Sequence, residues 1–303
     1  MKDILRIESI TQVHDFMGFA KPKHPLVSVI PAGKHWFDRD VTDTRFVMDL
    51  YNISLKTFHT GSFQYGRNAY DFQEGTLVFT APGQVMEFDE KLEQSTSTEG
   101  WTVLFHPDLI RKSSLGSTIE EYSFFDYESN EALHLSDDER TALTDLVNKI
   151  YMEYSQNIDK HSQELIVANI EMLLKYSKRY YDRQFFTRTN LNKDILSDFN
   201  RLVKQYYNSE QPFTNGVLTV KECANMLSMS VNYLGDLIKT ETGRNAKDHI
   251  QDYVVERAKN MLLGSNEAVS NIAYSLGFEY PQGFNKLFKA RVGLSPSDYR
   301  NLN

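Results

Sequence analysis

The first third of the chain alternates between apolar and polar positions, which is typical of strands that bury one face. The alternation is clearest over 45–55, where Val47, Ile53 and Leu55 share one face. Ala81-Pro82-Gly83-Gln84 suits a type II turn, with proline at its second position and glycine at its third. Many short strands separated by turns indicate a β-sandwich or a small barrel. The predicted strands cover 26–30, 45–55, 57–65, 76–80, 85–88 and 101–105.

From about residue 136 the apolar spacing changes to that of helices. Ser136 and Glu139 are three residues apart, as in a capping box, in which each side chain binds a backbone N–H at the start of a helix. We expect two helices over 136–183 that either pack on their own domain or form part of a dimer interface. Their apolar stripes are Leu143, Leu146, Val147, Ile150 and Tyr154, and then Ile166, Ile170, Leu173 and Leu174.

One arrangement of short helices occurs twice in the last 90 residues. In the first copy, Thr219 and Glu222 form a second capping box. A short helix, a break at 228–230 and a second helix from about Val231 follow. Gly243 ends the second helix, because glycine readily adopts the left-handed conformation found after helices. This pattern predicts a helix-turn-helix unit.

The second copy begins with Ile272 and continues through a turn at Gly277-Phe278. Pro281 then begins the second helix, where a missing N–H costs nothing because that group would be unpaired. Phe284 and Phe288 have the spacing of a buried face. The outward face is expected to carry Gln282, Asn285, Lys286 and Lys289, and Gly283 near the helix start would let the backbone approach a neighbouring surface.

A single long helix is predicted between the two copies. Ile250, Val254, Ala258 and Leu262 recur at helical spacing between Ala246 and Leu263, and Gly264 ends the pattern. Such a connector would hold two small units at a fixed separation, which suits the repeat of about 34 Å along one side of a DNA duplex. The alternative is a helical bundle that merely exposes polar residues on its second helices.

These residues resemble the AraC/XylS family of bacterial transcription regulators. The resemblance rests on LTVKECANMLSMSVNYLGDLIKTETG (218–243), VVERAKNMLL (254–263) and NIAYSLGFEYPQGFNKLFKARVGLSPSDYR (271–300). It implies a helical domain with two recognition helices in adjacent segments of the major groove, in contact with double-stranded DNA. The residues that would approach DNA are Ser230, Val231, Asn232, Tyr233, Asp236, Lys239, Tyr280, Gln282, Gly283, Asn285, Lys286 and Lys289.

The first part of the chain resembles, less specifically, the cupin-like sensor domain of the same family. The similarity lies in YDFQEGTLVFTAPGQV (70–85) and GWTVLFHPDLI (100–110). It implies a domain that binds a small effector, promotes dimerisation, or does both. The family as a whole implies an activator that contacts RNA polymerase, and repression is the alternative. Aromatic residues could line an effector pocket or simply fill a small barrel: Tyr51, Phe58, Phe63, Tyr65, Tyr70, Phe72 and Phe79.

The predicted fold class is therefore α+β with two domains. A cupin-like β-barrel with a helical hairpin is expected over 1–183, with its helical section at 136–183. A linker is expected over 184–200, and an all-α DNA-binding domain with two helix-turn-helix units over 201–303. The length of 303 residues is sufficient for two domains.

Charge and composition are compatible with this division. The chain has a formal net charge of −8, but residues 191–303 hold 13 Lys+Arg against 12 Asp+Glu. The C-terminal part is thus close to neutral within an acidic protein, which permits a local basic face. The start of the chain lacks the pattern of a secretion signal, no apolar run is long enough to span a membrane, and a reducing cytoplasm is expected.

An enzyme is the main alternative function, because cupin barrels also hold metal-dependent enzymes. Such sites typically use two histidines separated by one residue, and no His-x-His occurs in this sequence. We therefore expect no metal, no cofactor and no catalytic residues. Cys223 is the only cysteine, and we expect it to pack in a core rather than to react. A regulator without an effector is a further alternative.

Overall fold

The computed structural model describes residues 4–31, 45–56, 75–87, 100–128, 131–156 and 159–301. Contacts between residues divide the chain into two compact units, Met1–Phe186 and Thr187–Asn303. Among the described residues, no helix is long and apolar enough to cross a bilayer.

The N-terminal unit combines short strands with helices. Its strands are β1 (Ile4–Ile7), β2 (Val27–Pro31), β3 (Arg45–Met48), β4 (Tyr51–Lys56), β5 (Thr76–Thr80), β6 (Val85–Glu87), β7 (Gly100–Phe105) and β8 (Leu133–His134). Its helices are α1 (Ile10–Phe16), α2 (Pro107–Ile110), α3 (Ser114–Thr118), α4 (Asp137–Ser155) and α5 (Ser162–Thr187), with 3-10 turns at Ile119–Glu121 and Ser123–Asp126.

The strands form two sheets. The smaller sheet has the order β1-β3-β6, and the larger has the order β2-β7-β4-β5-β8. β1 pairs with β3 in parallel, and the other pairs are antiparallel. In the described part of the chain these sheets do not close into a barrel. An N-terminal sheet region and a helical C-terminal unit are thus confirmed, whereas the cupin-like barrel is not.

The single strand predicted over 45–55 is wrong, because the chain bends at Asp49 and Leu50 and passes from one sheet to the other. Asp49 is held at the bend: its N–H donates to the Ile7 carbonyl at 2.9 Å, and its carboxylate lies 2.8 Å from Arg6 Nη2. Leu50 is fully buried in a cluster with apolar residues of β1, α1, β2 and β7. The alternation of apolar and polar residues continues through Asp49 and Leu50, so the sequence gives no sign of the bend.

The helices α4 and α5 cover part of the predicted helical section. The Ser136 capping box is confirmed, with Glu139 N–H donating to Ser136 Oγ at 3.3 Å and Ser136 N–H donating to Glu139 Oε2 at 3.0 Å. Arg183 on α5 donates to the same Glu139 carboxylate at 2.7 Å. This ion pair joins the end of α5 to the start of α4.

The C-terminal unit is helical. Its helices are α6 (Thr189–Tyr207), α7 (Gln211–Asn215), α8 (Val220–Met226), α9 (Val231–Thr242), α10 (Ala246–Gly264), α11 (Val269–Ser275), α12 (Pro281–Val292) and α13 (Pro296–Asn301). The segment expected to be a linker, 184–200, consists mostly of the end of α5 and the first part of α6. The domain limits themselves stay a prediction.

Candidate DNA-binding surface

The helices α8 and α9 form the first helix-turn-helix unit. Glu222 N–H donates to Thr219 Oγ1 at 3.2 Å, and Thr219 N–H donates to Glu222 Oε2 at 2.7 Å, so the predicted capping box begins α8. Ser230 begins α9, because its Oγ accepts the Tyr233 N–H at 3.1 Å. Gly243 ends α9 in the left-handed conformation, at φ 72°.

The helices α11 and α12 form the second unit. α12 begins at Pro281, as the sequence predicts. Phe284 and Phe288 are fully buried, and their rings contact those of Phe278 and Tyr299 at centroid distances of 5.6 and 5.5 Å. This apolar contact fixes the inner face of α12 and leaves its opposite face exposed.

The turns of the two units have the same backbone arrangement. In the first, Met229 N–H donates to the Ala224 carbonyl at 2.9 Å; in the second, Phe278 N–H donates to Ala273 at 3.0 Å. The residue before each donor is left-handed, Ser228 at φ 55° and Gly277 at φ 90°. The repeat in the sequence is therefore a repeat in structure.

Helix α10 connects the two units, and its extent agrees with the prediction to within one residue. Both α9 and α12 pack against it. Its buried face carries Ile250, Val254, Val255, Ala258 and Leu262. One continuous helix thus contacts both second helices of the repeat.

Ion pairs add polar contacts to this framework. The Asp252 carboxylate on α10 lies 2.6 Å from Arg244 Nη2, just after α9, and 3.5 Å from Arg291 Nη1, on α12. Arg291 also donates to Asp248 and, at 2.7 Å, to Gln251 Oε1. Its hydrogen bond and positive charge lower the pKa of Asp248 below the ordinary value.

The predicted DNA-contacting residues of α9 differ in exposure. Val231 and Lys239 are exposed, and Ser230, Asn232 and Asp236 are half-buried. The prediction for Tyr233 requires correction, because its side chain is only 5% exposed. Tyr233 lies one turn before Leu237, so it belongs to the apolar stripe of α9 rather than to its outer face.

The predicted residues at α12 are all exposed. Tyr280, just before the helix, is 63% exposed, and Gln282, Gly283, Asn285, Lys286 and Lys289 follow on its outer face. Amide side chains can pair with adenine, whereas lysine can reach guanine or phosphate. This face therefore offers both types of group that read or position duplex DNA.

The sequence did not predict the ion pairs between these helices. Arg244, Asp252 and Arg291 are separated by up to 47 positions, and only the fold brings them together. A weak signal was present in the sequence, since Asp248 and Asp252 stand four residues apart and therefore on one face of α10. Their arginine partners could not be identified from spacing.

Two of the seven predicted effector residues lie in described segments. The Tyr51 ring stacks on Phe105 at 4.9 Å, and Phe79, 4% exposed, contacts Phe124 at 4.4 Å. Both also contact the Phe125 ring. These two residues pack within the N-terminal unit. The other five, Phe58, Phe63, Tyr65, Tyr70 and Phe72, lie outside the described residues.

The structure places Cys223 in the core of the C-terminal unit. Cys223 is fully buried, and burial raises the pKa of its thiol to about 12. Such a thiol remains protonated and packs as a small apolar group. Within the described segments, no three His, Cys, Asp or Glu side chains are grouped so that they could hold a metal ion.

The C-terminal unit is similar in sequence to a known protein family. A family model described as "Helix-turn-helix domain" matches residues 223–302. The uncharacterized HTH-type transcriptional regulator YobQ of Bacillus subtilis is 32% identical over 84 residues, which is 28% of this chain and 35% of YobQ. The chain thus spans about a third of the length of relatives such as YobQ.

Two further proteins are similar to this chain. The uncharacterized HTH-type transcriptional regulator YfiF of B. subtilis is 22% identical over 261 residues, covering 83% of this chain and 77% of YfiF. The solved C-terminal domain of the response regulator AraT from Geobacillus stearothermophilus is 25% identical, with a TM-score of 0.33, over 36% of this chain and 85% of that domain.

The resemblance of the C-terminal unit to the AraC/XylS family is confirmed by the family model and by the curated relatives. The matched segment contains most of the first helix-turn-helix unit, the connecting helix and the whole second unit. Residues 223–302 of this chain therefore form a helix-turn-helix domain, as the resemblance to the AraC/XylS family implied.

Proposed function

We propose that this protein is a sequence-specific transcription regulator that binds double-stranded DNA through α9 and α12. The observation that carries the proposal is the structural repeat: two helix-turn-helix units with equivalent turns pack against one continuous helix, α10. Helices of this kind enter the major groove, and a fixed separation lets two of them contact neighbouring groove segments.

Sequence readout is assigned chiefly to α12. Gln282 and Asn285 are exposed there, whereas Asn232 and Asp236 on α9 are half-buried and Tyr233 is in the core. Lys239 and Lys289 are placed to contact phosphate, which contributes affinity but no sequence information. Val231, at the exposed start of α9, offers an apolar contact to a thymine methyl group.

Selection from a random duplex library tests this proposal. The full chain is expected to enrich one sequence and to lose affinity steeply as salt rises, because phosphate contacts release bound cations. Gln282→Ala should relax the preference at one base position and cost about 1–3 kcal/mol of binding free energy. Binding to all duplexes alike would contradict the proposal.

Asn232→Ala serves as the comparison between the two helices. If Asn232→Ala removed the sequence preference and Gln282→Ala left it intact, the assignment of readout to α12 would be wrong. DNA binding itself would still stand.

The N-terminal unit is assigned a regulatory role. We propose that it adopts the cupin-like arrangement of the family and controls the DNA-binding unit through a small effector, through dimerisation, or through both. Contact with RNA polymerase would make the protein an activator. The protein would act by binding rather than by catalysis, in the cytoplasm, where the DNA is.

Purified protein can test this regulatory role directly. Sedimentation of the full chain, with and without the selected duplex, would report dimerisation. If no compound in a library of small metabolites changes the thermal stability of the protein or its affinity for DNA, the result would favour a regulator without an effector.

A further inference from the structure

The turn of the second helix-turn-helix unit lies directly against another backbone segment. Gly277, in that turn, faces Gly216, which stands between α7 and α8. A Cβ atom at position 277 would lie 2.4 Å from the Gly216 carbonyl oxygen and 2.8 Å from Val217 N. Both atoms belong to the backbone and cannot rotate away, so only glycine fits at position 277.

The first unit shows that a left-handed turn alone does not demand glycine. The equivalent residue there is Ser228, which has the same left-handed conformation and carries a side chain on the surface. Gly277 therefore differs from Ser228 because another backbone segment lies against it. The hydrogen in place of the Cβ points at the Gly216 oxygen, as in weak Cα–H···O contacts.

The segment that contacts Gly277 is itself held by α6. The Tyr206 hydroxyl donates to the same Gly216 carbonyl at 2.9 Å. Two residues further on, Leu218 N–H donates to the Tyr207 hydroxyl oxygen at 3.2 Å. Both tyrosines are at least 97% buried, so they are not free to move away from the loop.

We propose that the loop at 216–218 is a positioning element for the second recognition helix. It is fixed to α6 by Tyr206 and Tyr207, it leads directly into α8 of the first unit, and it contacts the turn that precedes α12. It thereby sets the orientation of α12 relative to the first unit, in addition to the connection through α10. This inference rests on the proposed function, because orientation matters only if both helices contact one duplex.

Two alanine variants separate this contact from ordinary backbone strain. Gly277→Ala would place a Cβ against Gly216, whereas Gly293→Ala imposes the same left-handed strain, at φ 83°, with no atom within 4 Å of the added Cβ. Tyr206→Phe removes the hydroxyl that holds the loop. All three are made in the full chain, and circular dichroism establishes that each variant is folded.

The first readout is hydrogen exchange in the free protein. Gly277→Ala and Tyr206→Phe are expected to speed exchange both in the 211–219 segment and in the turn before α12, which are distant in sequence. Gly293→Ala should speed exchange only near the end of α12. Unchanged exchange at 211–219 in Gly277→Ala, or the same change in Gly293→Ala, would overturn the proposal.

The second readout uses the duplex that wild-type protein selects, and a copy in which the segment contacted by α12 is randomised. For Gly277→Ala the preference for the intact duplex should fall about tenfold, the scale of one or two lost base contacts, while Gly293→Ala retains it. Equal preferences in both variants would count against the positioning role. If wild-type protein selects no duplex, the proposed function fails, and exchange alone still decides whether the loop restrains the turn.

Discussion

Ser228 and Gly277 occupy the same left-handed position in two equivalent turns, at φ 55° and φ 90°. The chain thus uses a residue with a side chain where there is room, and glycine where a neighbouring backbone leaves none. Left-handed conformations cost non-glycine residues of the order of 1–2 kcal/mol. The first turn consequently retains strain that the second does not have.

Replacing Ser228 with glycine should relieve that strain. We expect Ser228→Gly to stabilise the C-terminal unit by about 0.5–1 kcal/mol, since the gain exceeds the extra chain entropy that glycine loses on folding. Thermal unfolding of the full chain, followed at the transition of this unit, measures the change. Ser209→Gly is the control at a position without positive φ, and an equal gain there would contradict the explanation.

Substitutions at Phe284 and Tyr280 should distinguish an effect on stability from an effect on DNA binding. Phe284 is fully buried and Tyr280 is 63% exposed. Phe284→Ala should destabilise the C-terminal unit by about 3–5 kcal/mol through loss of core contacts and the resulting cavity. Tyr280→Ala should leave stability almost unchanged and weaken binding to the selected duplex. Urea unfolding and fluorescence anisotropy provide the two measurements, and a large loss of stability in Tyr280→Ala would refute the assignment of its ring to the surface.

Arg300 joins α13 to the end of α10. Its Nε donates to the Leu262 carbonyl at 3.0 Å, one of the last carbonyls of that helix. The charge also interacts favourably with the negative end of the helix dipole. Arg300→Ala should therefore cost about 1–2 kcal/mol of unfolding free energy. Arg300→Lys, which retains the charge but changes the donor geometry, should recover part of that loss, and urea unfolding of both variants would show it.

Because of the Asp248–Arg291 ion pair, we expect the stability of the C-terminal unit to depend on pH in the acidic range. Arg291 lowers the pKa of Asp248 in the folded protein below its ordinary value of 3.8. The folded state therefore binds a proton less readily than the unfolded state, so stability from this pair is fully present above the ordinary pKa. It is lost as the pH falls through the lowered folded value.

Asp248→Asn is the variant that tests this dependence. It should be less stable than wild type at pH 7. The difference should shrink as the pH falls below the ordinary pKa of 3.8, where the unfolded chain gains a proton at Asp248, and should be smallest below the lowered pKa of the folded protein. Thermal unfolding between pH 7 and pH 2.5 makes the comparison. Asp298→Asn provides a control carboxylate away from Arg291, and a constant difference for Asp248→Asn at every pH would argue against the pair.

The sequence by itself determined where several helices begin, in both units. The starts of α4 and α8 follow from capping boxes at Ser136 and Thr219, and that of α12 from Pro281. Such signals act between residues three or four positions apart, so they are visible without a fold. The family resemblance then supplied the interpretation that two of these helices approach DNA.

Only the tertiary structure decided how these elements are fixed to one another. The bend at Asp49 divides one alternating run between two sheets, Tyr233 turns into the core, and Asp252 meets arginines from two other helices. Gly277 and Gly216 are 61 positions apart, and nothing in either local sequence indicates their contact. Helix starts depend on hydrogen bonds within one turn of chain, whereas these features depend on which distant surfaces share a core, and that is settled only when the whole unit packs.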